Sequence, residues 1–133
     1  MATTDSLLSR DQELRVLAAL GLPHGPLPEA SNGWLRRYYE YLVGNLALPF
    51  DAEYAEDVLG YRRVVSAITV IALLHPDEDG RHEKFGLLCR ARRGTQEIEV
   101  PLADVELGEQ SQNYRLIEDY WYWFWNWRFD PRI

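Results

Sequence analysis

Soft metal ligands are scarce in this chain: one cysteine, Cys89, and three scattered histidines, His24, His75 and His82. A lone cysteine excludes an internal disulfide. The same shortage argues against a zinc or iron–sulfur centre, both of which need several thiolates or imidazoles. Cys89 lies within the apolar run Phe85-Gly86-Leu87-Leu88-Cys89, where it reads as a small buried hydrophobe. Basic residues are also few. Fourteen Lys and Arg face 21 Asp and Glu, for a net charge of −7. No basic face is expected for nucleic acid or for an anionic membrane surface. The acidic balance favours a cationic partner: a metal ion, a basic protein, or simply water.

Long apolar runs are missing as well. The longest, Val64 to Leu74, is interrupted by Ser66 and Thr69 and falls far short of the ~20 residues that cross a bilayer. Met1-Ala2-Thr3-Thr4-Asp5 lacks the basic and apolar regions of a secretory signal, so a cytoplasmic location is expected. No Gly-rich phosphate loop, nucleophile elbow or His-x-x-x-His motif occurs, and no enzyme is expected. A carboxylate pair such as Glu118 and Asp119 could do acid–base chemistry only if burial separated the two pKa values.

What is present suits one domain spanning residues 1–133. Ser9-Arg10-Asp11-Gln12 has the form of a capping box, and Leu14, Leu17 and Leu20 follow at helical spacing up to Gly21 and Pro23. A helix is thus predicted over about 9–20. Ser31 or Asn32 caps a second helix, whose apolar stripe is Leu35, Tyr38, Leu42 and Leu46 and which Pro49 ends. Short strands are predicted over 50–59, 64–74, 84–92 and 96–100, then a helical turn or strand lead-in over 101–105. A final helix opens near Ser111 or Gln112. It gathers Arg115, Glu118, Asp119, Tyr122 and Asn126 into a narrow polar stripe within an aromatic surface. Helices, strands and a helix in that order predict an α+β domain built on a small antiparallel sheet or barrel.

Acidic residues fall into four groups: Asp51, Glu53, Glu56 and Asp57; Asp77, Glu78 and Asp79; Asp104, Glu106 and Glu109; and Glu118 with Asp119. Calcium takes six to eight oxygens at roughly 2.3–2.6 Å, and crowded carboxylates relieve their repulsion by binding a proton or a cation. Each group taken singly reads first as a solvated face. The turn Asp77-Glu78-Asp79-Gly80 is no EF-hand. Counted from Asp77, the sixth and twelfth positions hold His82 and Leu88 in place of Gly and Glu.

Four stretches resemble the cyanobacterial calcium-binding protein family of the CcbP type. They are the helix around Trp34-Leu35, Leu46 to Tyr54, Phe85 to Cys89 followed by Val100 to Glu106, and Asn113 through Trp123 to Asn126. The resemblance covers about residues 32–128 and leaves out the N-terminal helix. It implies an SH3-like antiparallel β-barrel with flanking helices, including the aromatic-rich C-terminal one. It also implies calcium binding without EF-hands, in buffering or signalling. Within the matched stretches, the acidic groups nominate Asp51, Glu53 and Asp57 as calcium ligands, with Asp104, Glu106 and Asp119 as partners. Asp77 and Asp79 form a lesser second site. The alternative is a metal-independent SH3-like module that binds a basic protein.

Overall fold

Two helices occupy the first third of the chain. In the computed structural model, which describes residues 3–58, 60, 62–78, 81–82 and 85–127, α1 spans Thr3–Ala19 and α2 spans Asn32–Asn45. The expected capping box at Ser9 is not a helix start, because α1 is already running there. The Gln12 side chain turns instead toward the C-terminal helix. The end of α1 follows its sequence signal. Gly21 takes φ +76°, and Leu22 N–H bonds the Leu17 carbonyl at 2.8 Å while Gly21 N–H bonds that of Ala18 at 3.1 Å. This is the paired bonding of a left-handed glycine stop. The Arg37 guanidinium, which donates to the Leu20 carbonyl, would lie 2.9 Å from any Cβ at position 21. In α2 the predicted stripe is buried at Leu35, Tyr38 and Leu42.

Six strands follow: β1 Phe50–Val58, β2 Arg62–Leu73, β3 Arg81–His82, β4 Gly86–Arg93, β5 Gln96–Pro101 and β6 Val105–Glu106. A 3-10 turn, Leu102–Asp104, joins the last two, and α3, Tyr114–Trp127, closes the described fold. All ladders are antiparallel. The strands run β4-β2-β1-β6 across the sheet, with β5 and the two-residue β3 both paired to β4. The α+β class is therefore as expected, but the closed barrel is not. Among the described residues no ladder joins β5 to β6; the 3-10 turn carries the chain between them, and β6 is only two residues long, so the sheet stays open. Within β2, Ile68 and Val70 point inward at alternate positions. The register then shifts between Val70 and Ala72, which turns Leu73 inward instead of Ala72.

The core lies between the sheet and α3. Tyr38 stacks on Trp123 with ring centroids 5.1 Å apart, and Tyr120 stacks on Phe124 at 5.9 Å. Burying one such ring stabilises the fold by about 1.5–3 kcal/mol. The polar tips are satisfied: Trp123 Nε1 donates to the Pro28 carbonyl at 2.9 Å, and Tyr120 Oη accepts the Leu87 N–H at 2.9 Å. Gly86, at φ +73°, lets β4 approach α3. A Cβ there would lie 2.6 Å from both Phe124 Cε1 and Tyr120 Oη. Cys89 is fully buried as expected, and burial pushes its thiol up to about 12. Among the described residues, no helix is long and apolar enough to cross a membrane.

Candidate functional site

Side chains alternate along a strand, so Asp51, Glu53 and Ala55 take one side of β1, and Ala52, Tyr54 and Glu56 the other. Ala52 and Tyr54 pack on the core, which leaves the odd-numbered set on the outer face. Register then decides which acids meet. Glu53 lies directly opposite Glu106 in the β1–β6 ladder. At the far end of β1, position Asp57 pairs with position Arg63. Asp51 lies opposite Thr69, whose hydroxyl donates to the Asp51 carboxylate at 3.0 Å. Directly opposed like charges destabilise a ladder, so the Glu53–Glu106 juxtaposition needs a cation. Arg63 supplies one by pairing with Glu106.

A third carboxylate, carried by α3, feels the charge of Glu106. Glu118 on α3 is half-buried, and its carboxyl is raised above the ordinary range, first by burial, then by Asp119 and Glu106. Asp104 stands nearby at the end of the 3-10 turn. After burial, Glu56 and then Asp104 raise the Tyr54 hydroxyl, so these two acids approach the ring from neighbouring elements. An open cleft of about 320 Å³ lies beside them. It is lined by Arg63, Asp104 and Glu106, by Ala55 and Ala103, and by the indoles of Trp121 and Trp125.

The remaining acids lie apart. Asp119, placed by sequence on a polar stripe, is 5% exposed. Arg15 holds it through two bonds, Nε to Oδ2 at 2.8 Å and Nη2 to Oδ1 at 3.0 Å. Asp77 lies on an exposed turn and accepts Arg36 at 2.7 Å; Asp79 lies outside the described residues. Elsewhere Glu56 is 3.5 Å from Arg93, and Glu97 is 3.5 Å from Arg90. Among the described residues, no three of His, Cys, Asp and Glu are grouped so as to hold a metal ion.

A family model described as calcium binding, of the CcbP type, matches residues 28–124. The chain belongs to the CcbP calcium-binding family. No curated protein and no solved structure matches it. Calcium is the ion of the CcbP family, and a calcium ion wants six to eight oxygens. The described carboxylates of this CcbP-family chain do not supply a ready-made cage. They supply the opposed pair Glu53 and Glu106, with Asp104 and Glu118 alongside and arginines among them.

Several contributors to this region carry weak sequence signals. Glu118 belongs to a recognisable acidic group, yet its half-burial depends on packing against distant elements. Asn113 is 1% exposed: its Oδ1 accepts the Ala47 N–H at 2.9 Å and its Nδ2 donates to the Ala47 carbonyl at 3.0 Å. This bond pair ties the start of α3 to the segment that leads into β1. An asparagine just before a helix reads as a cap, and nothing local points to a partner 66 residues away.

Proposed function

We propose that this CcbP-family protein binds calcium without an EF-hand, on the carboxylate face formed by Glu53 and Glu106 with Asp104 and Glu118. The observation that carries the reading is the register of β1 on β6, which opposes two glutamates directly. An ion held there keeps much of its hydration shell, since protein oxygens fill only part of its coordination. Asp51 extends the same face along β1, position Asp57 follows near the strand's end, and Asp77, on an exposed turn, is a lesser site. Affinity at such a site belongs near the weak end of known calcium modules, roughly 0.1–1 mM. That suits buffering or signalling in the cytosol by a binding protein that performs no catalysis. The strand order, with a 3-10 turn between β5 and β6, supports reading the sheet as an SH3-like barrel left open.

Calorimetric titration with calcium tests the reading. The wild type is expected to give saturable heat, and the pair of substitutions Glu53→Gln and Glu106→Gln to weaken binding about tenfold, the equivalent of 1.4 kcal/mol. No heat and no change in melting temperature at millimolar calcium would sink it. A second reading, a metal-independent module for a basic protein, draws on Trp121, 44% exposed, at the rim of an acid-lined cleft. Capture of a basic partner that is indifferent to chelator would favour it.

A further inference from the structure

The cleft beside β6 carries two indoles that calcium does not use. Trp121 and Trp125 stand four residues apart on α3 and share one face of that helix. Both line the cleft. Trp121 is 44% exposed, and Trp125 is fixed edge-on against Phe124 with ring centroids 5.3 Å apart. Ala55 and Ala103 bring only methyl groups to the lining, so a space of about 320 Å³ stays open. That is near the lower limit for a ligand site, ~300 Å³, and suits a single side chain. The charged lining sets Asp104 and Glu106 against Arg63, one negative charge in excess. A guanidinium is already held here, because Glu106 pairs with Arg63. The two side chains are 51% and 57% exposed, so the hold is weak and open to exchange. Val65, 46% exposed, lies opposite Ala55 in the β1–β2 ladder and extends the apolar surface.

We infer that this cleft receives an arginine side chain of a basic partner protein: the guanidinium stacks on the Trp121 indole and donates to Asp104 and Glu106, while its methylene stem lies along Ala55 and Val65. The inference rests on the basic-protein reading above and needs no calcium. Arginine is the cation that uses the whole lining. Its plane stacks on an indole, its fork matches carboxylates, and its stem covers apolar surface. Lysine is more strongly hydrated and has no plane to stack. A trimethylated ammonium donates no hydrogen bond and is recognised in a cage of rings, whereas both indoles here come from one helix face. The incoming guanidinium takes the place of Arg63 on Glu106, and Arg63 turns into water. The net charge of −7 draws a basic partner from a distance.

The probe is the blocked pentapeptide Gly-Ser-Arg-Ser-Gly, added to the full chain in chelator at low salt. Its twins carry citrulline, lysine or trimethyl-lysine in place of arginine. The Nε1–H resonance of Trp121 is expected to shift with the arginine peptide and not with citrulline, while that of the buried Trp123 stays still. Trp121→Ala is expected to weaken binding about fivefold, the upper end for a cation on an exposed ring. Arg63→Gln, which removes the resident guanidinium, is expected to tighten it two- to fivefold, the range of an exposed ion pair. Val43→Ala, at an exposed site on α2, is expected to change it less than twofold. Equal binding of the lysine, trimethyl-lysine or citrulline peptide overturns the inference, as does a Trp121→Ala effect no larger than that of Val43→Ala. Should Trp121→Ala fail to fold, the wild-type resonance decides, and an unmoved Trp121 at saturating peptide refutes the site. If the pentapeptide does not bind but tetra-arginine does, the inference falls and the basic-protein reading stands. If neither binds, both fall.

Discussion

Asn113 shows how much one side chain can govern. Its buried amide satisfies both the N–H and the carbonyl of the half-buried Ala47. Each buried backbone group left unpaired costs about 1–3 kcal/mol. Asn113→Ala is therefore expected to lower stability by about 2–4 kcal/mol in urea unfolding, close to the sum for two groups. The substitution Asn113→Asp, which keeps an acceptor but loses the donor, is expected to fall between alanine and the wild type. A cost under ~0.5 kcal/mol, typical of a surface substitution, would show that Ala47 finds other partners. This bond was not legible in the sequence, for an amide does not announce a partner so far along the chain. Cys89 was legible, because a cysteine in an apolar strand has little to do except fill space.

At the scale of elements, strands and helices were read well where periodicity is local. The glycine stop at Gly21, the stripe Leu35-Tyr38-Leu42 and the aromatic α3 all follow from spacing. Two features escaped. The true start of α1 lies upstream of a convincing cap at Ser9, because a capping signal acts only if the preceding residues leave the helix. The polar stripe of α3 read as surface charge, yet α1 covers it and buries Asp119. Periodicity gives a face its character, but only tertiary packing says what meets it.

The cost of covering that stripe falls on Glu118. Its carboxyl is raised by burial and by its acidic neighbours, so the folded protein binds a proton there more readily than the unfolded chain does. Stability from this group is then lost as pH rises from the ordinary carboxylate range through the raised value. Glu118→Gln is expected to melt higher than the wild type at pH 7, with the gap closing as pH falls below the ordinary glutamate value. Thermal melts at pH 7 and pH 4 measure it, and a gap that persists or widens in acid would reverse the assignment.

Across the whole molecule, charge is the dominant long-range property. Twenty-one acids outnumber 14 Lys and Arg residues, and all of those 14 but Lys84 are arginine. Arginine suits a chain that must hold its own carboxylates, since its planar fork binds them with fixed geometry. The sequence displayed the excess of acid but not its distribution. The β1–β6 register and the ion pairs decide which carboxylates face each other and which are already neutralised. Attraction of a cation to an exposed acidic face weakens as salt shortens the Debye length from ~10 Å at 0.1 M toward ~3 Å at 1 M. Raising sodium chloride from about 0.05 to about 0.5 M, across most of that screening range, is thus expected to weaken calcium binding several-fold. A salt-insensitive constant would point to an enclosed site instead.

The open sheet has one more consequence. Among the described strands β5 pairs with β4 alone, and a strand with an unpaired margin invites a second copy to zip onto it. Exposed Glu97 and Glu99 sit on this strand, which ends in a proline that has no amide hydrogen to offer. Crowding two such strands together brings the Glu99 of one copy toward that of the other, while Glu97 already lies beside Arg90, and the like charge disfavours pairing where the chain could polymerise. A protein that worked by sheer abundance, as an ion reservoir does, would depend on that mutual avoidance.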